Sequence, residues 1–282
     1  MDLGQSIKSA FRGWTTRLAP EVEENLRSLT SASNEYGTDP FGLDVEYILS
    51  GIAPLVWMYK HYFRVEVTGI DDLPDGRLLL VANHSGQLPF DAAMIGIHLM
   101  LETRAPRIIR TMVDTWIPAL PFVSTYLARC GQVVGTPENC RRLLAADEAI
   151  LVFPEGMKGI LKLYKDRYQL EQFGHGFMRL ALDTDTPIVP IAVVGAEEQA
   201  PAIADLKSVA RLFGLPALPI TPTLLPFPLP AKYHLVFGEP MRFTGRPDDD
   251  DDDELERKVR KVRSTIQTML QQKLAERAHV FW

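Results

Sequence analysis

Two short apolar runs constrain the fold of this chain more than any other feature. Residues 77–82 (RLLLVA) and 149–153 (AILVF) are almost wholly apolar, and each ends abruptly at a polar segment, NHSG after the first and PEGMKG after the second. A strand with one wet face alternates. A short run that does not alternate is covered on both faces, as in a parallel sheet between helical layers. Residues 188–194 (IVPIAVV) repeat the pattern, and shorter strand candidates lie at 63–68, 107–112, 132–134 and 234–238. Between them run helical patterns: a stretch opened by Asp91, one within Trp116 to Cys130 after its prolines, one from Pro137 to Asp147 and one from Gln172 to Asp183. Strands alternating with helices predict an α/β fold: a mixed, largely parallel sheet flanked by helices, with an N-terminal helical segment. In such folds ligands bind at the carboxyl ends of the strands.

Three regions follow from this pattern. Residues 1–62 form an N-terminal helical segment, with a short helix after Pro20, a loop over 34–42 and an apolar, aromatic helix over 44–62 containing Tyr47, Trp57, Tyr59 and Tyr62. Residues 63–245 form the α/β domain. Residues 246–282 form an acidic linker and a C-terminal helix starting near Glu254, with the run Asp248 to Asp253 at its dipole-positive start.

Composition narrows the function classes. The 282 residues are 46% hydrophobic and 23% charged, which excludes a disordered chain. The formal charge is −6, with Lys and Arg outnumbered 30 to 36, so general nucleic-acid binding is not expected. Apart from the six consecutive aspartates the body is close to neutral and can lie on a membrane surface without strong repulsion. The two cysteines, Cys130 and Cys140, make no disulfide framework and point to a reduced, cytoplasmic setting. The N-terminus lacks an apolar signal core. No apolar run reaches the roughly 18 residues of a spanning helix, so any membrane contact is expected to be peripheral.

Chemistry concentrates at two strand ends. In Val81 to Asp91 (VANHSGQLPFD) a histidine stands just past a buried strand and an aspartate at the next helix start, where it would cap naturally. An imidazole can take a hydroxyl proton at neutral pH, and a carboxylate beside it would fix its tautomer. The bland alternative is a turn histidine capped by an aspartate. In Phe153 to Gly159 (FPEGMKG) a glycine-containing strand-to-helix loop offers backbone N–H groups and Lys158 a positive charge, which suits a phosphate or a developing oxyanion. Here the bland alternative is an ordinary turn with a solvated lysine.

The two blocks together, in this order and about 70 residues apart, resemble the glycerolipid and lysophospholipid acyltransferase superfamily. That family carries Asn-His-x4-Asp first, Phe-Pro-Glu-Gly-x-Arg third, and a fourth block with a central proline matched by Pro187 to Ile191 (PIVPI). The resemblance covers roughly residues 60 to 240. It implies that His84 deprotonates an acceptor hydroxyl, which attacks an acyl thioester directly, and that Asp91 orients His84. It implies acceptor binding by Asn83, Glu155 and Gly156, with Lys158 as a phosphate contact. The donor would be acyl-CoA or acyl-carrier protein, a co-substrate; no other cofactor and no metal is implied. The acceptor would be a lysophospholipid or related glycerolipid at a membrane surface.

Three departures stand out. Six residues, Ser85 to Phe90, separate His84 from Asp91, where the family has four. Lys158 replaces an arginine and offers a point charge, not a fork. The second block, Gly131 to Pro137, holds no basic residue, though Arg141 and Arg142 follow. These keep two alternatives open: acylation of a neutral alcohol, giving a wax ester or diacylglycerol type of product, and an inactive lipid-binding protein. A Ser85 nucleophile is disfavoured, because adjacent side chains of an extended segment point apart, and no G-x-S-x-G elbow occurs. Gly174-His175-Gly176 reads as a helix entry, and the proline-rich stretch 212–230 as an apolar flap able to touch lipid.

Overall fold

The computed structural model describes residues 37–69, 73–85, 89–103, 106–117, 122–202, 228–245 and 252–281, together with two short strands at 204–205 and 219–220. The helix expected after Pro20 and nearly all of the 212–230 stretch lie outside the described residues.

Seven strands form one sheet: β1 (Glu66–Thr68), β2 (Leu78–Ala82), β3 (Ile109–Val113), β4 (Val133–Val134), β5 (Ala149–Val152), β6 (Ile188–Val194) and β9 (His234–Phe237), in the order β1-β9-β6-β2-β5-β3-β4. The pairings are parallel except β6 with β9, so the sheet is mixed and largely parallel. Two-residue strands β7 (Ala204–Asp205) and β8 (Pro219–Ile220) pair apart from it. Pro190 sits inside β6 without breaking it. It lies opposite Gly238, between the bridge of Ile188 to Met241 and the start of the β9 pairing at Ile191; its carbonyl accepts the Gly238 N–H at 2.8 Å, so the missing N–H costs at most the reciprocal bond at the end of the ladder.

The non-alternating runs are strands covered on both sides. Leu78, Leu80 and Ala82 of β2 face one core with Ile48, Val56, Tyr59, Ile95 and Leu99, while Leu79 and Val81 face the other with Leu143, Met178, Val259 and Ile266. The first core is covered by α1 (Val45–Gly51), α2 (Ala53–Trp57), a π-helical turn at Met58–Tyr62 and α3 (Phe90–Leu101). The second is covered by α5 (Pro137–Ala145), α7 (Gly176–Thr184) and α9 (Asp252–Glu276). Helix α9 buries Leu255, Val259, Val262, Ile266 and Leu270, a three-and-four spacing that lays one stripe on the sheet.

Two of the three elements that follow depart from the sequence expectation. The 44–62 helix is broken, because Pro54 cannot donate the bond that would join α1 to α2. The helix expected after the prolines of 116–130 is α4 (Val123–Arg129), which starts after Phe122 at the non-helical φ of +64°. Asp91 does not cap α3; Pro89 holds that position and Asp91 sits in the first turn.

Candidate active site

The three central strands β5, β2 and β6 run in parallel, and their aligned carboxyl ends carry the chemistry. Val81 pairs with Val152, and Ala82 with Ile191. The segment leaving β2 is fixed at each residue. The Asn83 carboxamide donates to the Val193 carbonyl at 3.0 Å and accepts from the Val193 N–H at 2.7 Å. Asn83, expected among the acceptor-binding residues, is fully buried, and its amide ties β2 to β6.

His84 and Asp91 come together despite the longer spacing. His84 Nδ1 lies 2.7 Å from Asp91 Oδ2, which also accepts the Ser85 N–H at 3.1 Å. Asp91 Oδ1 accepts the Ala92 N–H at 2.8 Å. Asp91 is fully buried in the first turn of α3, where the helix dipole favours its charge, whereas the His84 side chain is 14% exposed. Nδ1–H donates to the carboxylate, so the lone pair sits on Nε2 and can take a proton. The imidazole stacks on Phe153, with ring centroids 4.2 Å apart and planes at 22°. The buried Ser85 hydroxyl pairs with neither His84 nor Asp91.

The loop after β5 turns through Gly156 at φ +54° and ψ −143°, a conformation that suits glycine, and enters the short helix α6 (Met157–Ile160). Glu155 was expected to hold the acceptor, but its carboxylate is spent within the protein. Oε1 accepts the His84 N–H at 3.0 Å, Oε2 accepts the Glu171 N–H at 2.8 Å, and Lys162 Nζ lies 3.1 Å from Oε2. The Gly156 N–H is also occupied, by the Phe153 carbonyl at 3.0 Å. Lys158 is exposed on α6.

Sequence reasoning missed Lys162 and Gly159. Lys162 is a buried cation between Glu155 and Glu197, 3.1 Å from each. Glu197 belongs to α8 (Ala196–Gln199), the short helix that follows β6, and its Oε2 accepts the Tyr168 N–H at 2.9 Å. Burial pushes the Glu197 carboxyl up to about 7, with Lys162 opposing the shift. Gly159 packs against His84 so closely that a Cβ on it would lie 3.0 Å from the His84 carbonyl oxygen. The only local cue to either was a lysine set between apolar neighbours, Leu161 and Leu163.

Beside the dyad lies a cavity of about 510 Å³ between α1, α2, α3 and α4, within the size range of small-molecule sites. Phe90 and Ala92, the immediate neighbours of Asp91, line it together with Pro89, Ile48, Leu55 and Ile97. Its walls are mostly apolar, so it suits a hydrocarbon chain. Among the described residues no group of histidine, cysteine and carboxylate side chains could hold a metal.

Residues 64–194 match the Acyltransferase family. An uncharacterised protein of Mycobacterium tuberculosis is 39% identical over 292 residues, covering 96% of this chain and 81% of that protein. A Gallus gallus protein named DGAT1/2-independent enzyme synthesizing storage lipids is 25% identical over 180 residues, covering 63% of this chain and 52% of its own. The crystal structure of the 1-acyl-sn-glycerophosphate (LPA) acyltransferase PlsC from Thermotoga maritima superposes with a TM-score of 0.51 at 18% identity, covering 82% of this chain and 83% of that one. At that identity it shows a shared fold.

Proposed function

This chain belongs to the Acyltransferase family, and on that premise we propose that it moves a fatty acyl group from a thioester, acyl-CoA or acyl-carrier protein, to a hydroxyl of a lysophospholipid or related glycerolipid. The observation that carries this reading is the 2.7 Å contact of His84 with the buried Asp91, at a strand end beside an apolar cavity.

The acyl chain lies in the cavity, which brings its thioester carbonyl to the rim near Asp91 and His84. His84 Nε2 takes the proton of the acceptor hydroxyl, and Asp91 stabilises the imidazolium that forms. The alkoxide oxygen bonds to the carbonyl carbon. The tetrahedral intermediate then collapses with cleavage of the carbon–sulfur bond, and the proton on Nε2 passes to the departing thiolate. No acyl-enzyme forms, in keeping with a Ser85 hydroxyl that His84 does not contact.

A neutral acceptor is the second reading, supported by the exposed position of Lys158, by a Lys162 charge already consumed by two carboxylates, and by the storage-lipid relative. Membrane association belongs to the same proposal. No helix among the described residues is long and apolar enough to cross a membrane, while Phe122, Val123 and Tyr126 are exposed at the start of α4 next to the cavity wall. These three support a peripheral attachment.

Thioester consumption with and without acceptor tests the function. Acceptor-dependent thiol release that His84→Ala abolishes supports it, and comparison of lysophosphatidate with monoacylglycerol decides between the two acceptor classes. Thiol release that ignores both acceptors contradicts it.

A further inference from the structure

The buried cluster behind the dyad is built around one ammonium group. Lys162 Nζ has three N–H donors and three acceptors around it: Glu155 at 3.1 Å, Glu197 at 3.1 Å and the Gln169 carbonyl at 3.2 Å. Its side chain is 4% exposed, and those of Glu155 and Glu197 are 0% and 6%. Water therefore screens little of the interaction. The cluster joins three otherwise separate pieces of chain, the loop after β5, the segment 162–171 and α8 after β6.

We propose that Lys162 is a positioning residue for acyl transfer, acting through Glu155 to hold the backbone of His84. This rests on the reading of His84 as the general base. The path is short: Lys162 to Glu155, the Glu155 carboxylate to the His84 N–H at 3.0 Å, and His84 Nδ1 to Asp91 at 2.7 Å. Asn83 anchors one side of His84 and Ser85 N–H the other, so Glu155 supplies the central tie.

The electrostatics agree with this placement. Burial works against the Lys162 ammonium, yet Glu197 and Glu155 together outweigh it and hold its pKa above the usual lysine value. Two carboxylates share one cation, and the groups facing them are the N–H groups of His84, Glu171 and Tyr168. The neighbouring carboxylate of α8, Glu198, is matched separately, by Arg277 at 2.5 Å. Removing Lys162 leaves two buried carboxylates without their counter-charge, an arrangement that does not persist unprotonated and in place. Glu155 then releases the His84 N–H, and the imidazole loses its setting against Asp91.

The test is a double-mutant cycle in steady-state kinetics, with palmitoyl-CoA as donor and whichever of lysophosphatidate and monoacylglycerol turns over faster. Lys162→Met lowers kcat at least ~10-fold, with the donor KM changed by less than ~2-fold, because Lys162 does not line the acyl cavity while misplacement of a base is costly. In the Glu155→Gln background the same substitution adds less than ~2-fold, because its effect passes through the residue already changed. A folded Lys162→Met protein with parental kcat overturns the proposal, and so do fully additive losses. Where Lys162→Met does not fold, Lys162→Gln/Glu197→Gln removes the cation with one carboxylate; lowered kcat supports the proposal and parental kcat overturns it. His84→Ala run in parallel separates the two levels: if it stays active the general-base reading fails, whereas a dead His84→Ala beside an unaffected Lys162 variant sinks the positioning role alone.

Discussion

The main chain of His84 and the α-carbon of Gly159 are in closest possible contact: a Cβ on Gly159 would lie 3.0 Å from the His84 carbonyl oxygen, 3.2 Å from its Cβ and 2.9 Å from the Cβ of Glu155. The helix after FPEG thus packs directly on the residue that would take the proton. Neither neighbour is the far end of a flexible side chain, so a methyl group there pushes backbone.

Gly159→Ala should therefore damage activity more than stability. Overpacking costs about 1–3 kcal/mol, while displacement of His84 relative to Asp91 should lower kcat by ~10- to 100-fold. Thermal melts and initial rates on the same preparation check this, and an unchanged kcat refutes the contact's importance.

The cavity should set which acyl chains are used. Gly96 lies on its wall, and a Cβ there meets Ile109 only at 3.7 Å, so small substitutions fit and larger ones grow into the space. Gly96→Leu is expected to lower kcat/KM for long donors relative to short ones, by about 0.8 kcal/mol for each methylene excluded. Competition between donors of different length measures it, and a uniform loss across all lengths would place the acyl chain elsewhere.

The sheet was the most legible part of the sequence. Residues 188–194 are β6 to the residue, and 77–82 and 149–153 differ from β2 and β5 by one residue at an end, because strands buried on both faces write their burial into every position. The His84–Asp91 pair was legible for the same reason: both residues lie next to well-marked element boundaries. What escaped notice depends on topology. Nothing near Lys162 announces Glu197, 35 positions later, because only the adjacency of β2, β5 and β6 brings them together. The motif marks the place of Glu155 but not the direction its carboxylate faces, which in the structure is toward the His84 and Glu171 N–H groups and Lys162.

Attachment to lipid should depend on the exposed start of α4. Phe122 is 90% exposed, with Val123 and Tyr126 beside it. Phe122→Ser with Val123→Ser is expected to reduce sedimentation with neutral phosphatidylcholine vesicles, and the parent's sedimentation should survive moderate salt, since apolar contacts are not screened as charges are. Full sedimentation of the variant would move the contact to another face.

Stability should carry the signature of Glu197. Burial raises its folded pKa from the ordinary 4.5 to about 7. A carboxyl that holds its proton more tightly when folded stabilises the protein at low pH. That contribution falls away as pH rises from about 4.5 through about 7 and is then flat. Glu197→Gln should flatten this slope in urea unfolding between those limits, and an identical pH dependence in parent and variant would show that Glu197 does not titrate there.

The central claim, that His84 is the general base, is tested most directly by the single-turnover rate of acyl transfer in His84→Ala, with thermal unfolding followed on the same sample. The account predicts a fall of at least ~100-fold, the scale of a lost general base, with the melting transition preserved. A folded His84→Ala protein that transfers acyl groups at close to the parental rate would contradict it.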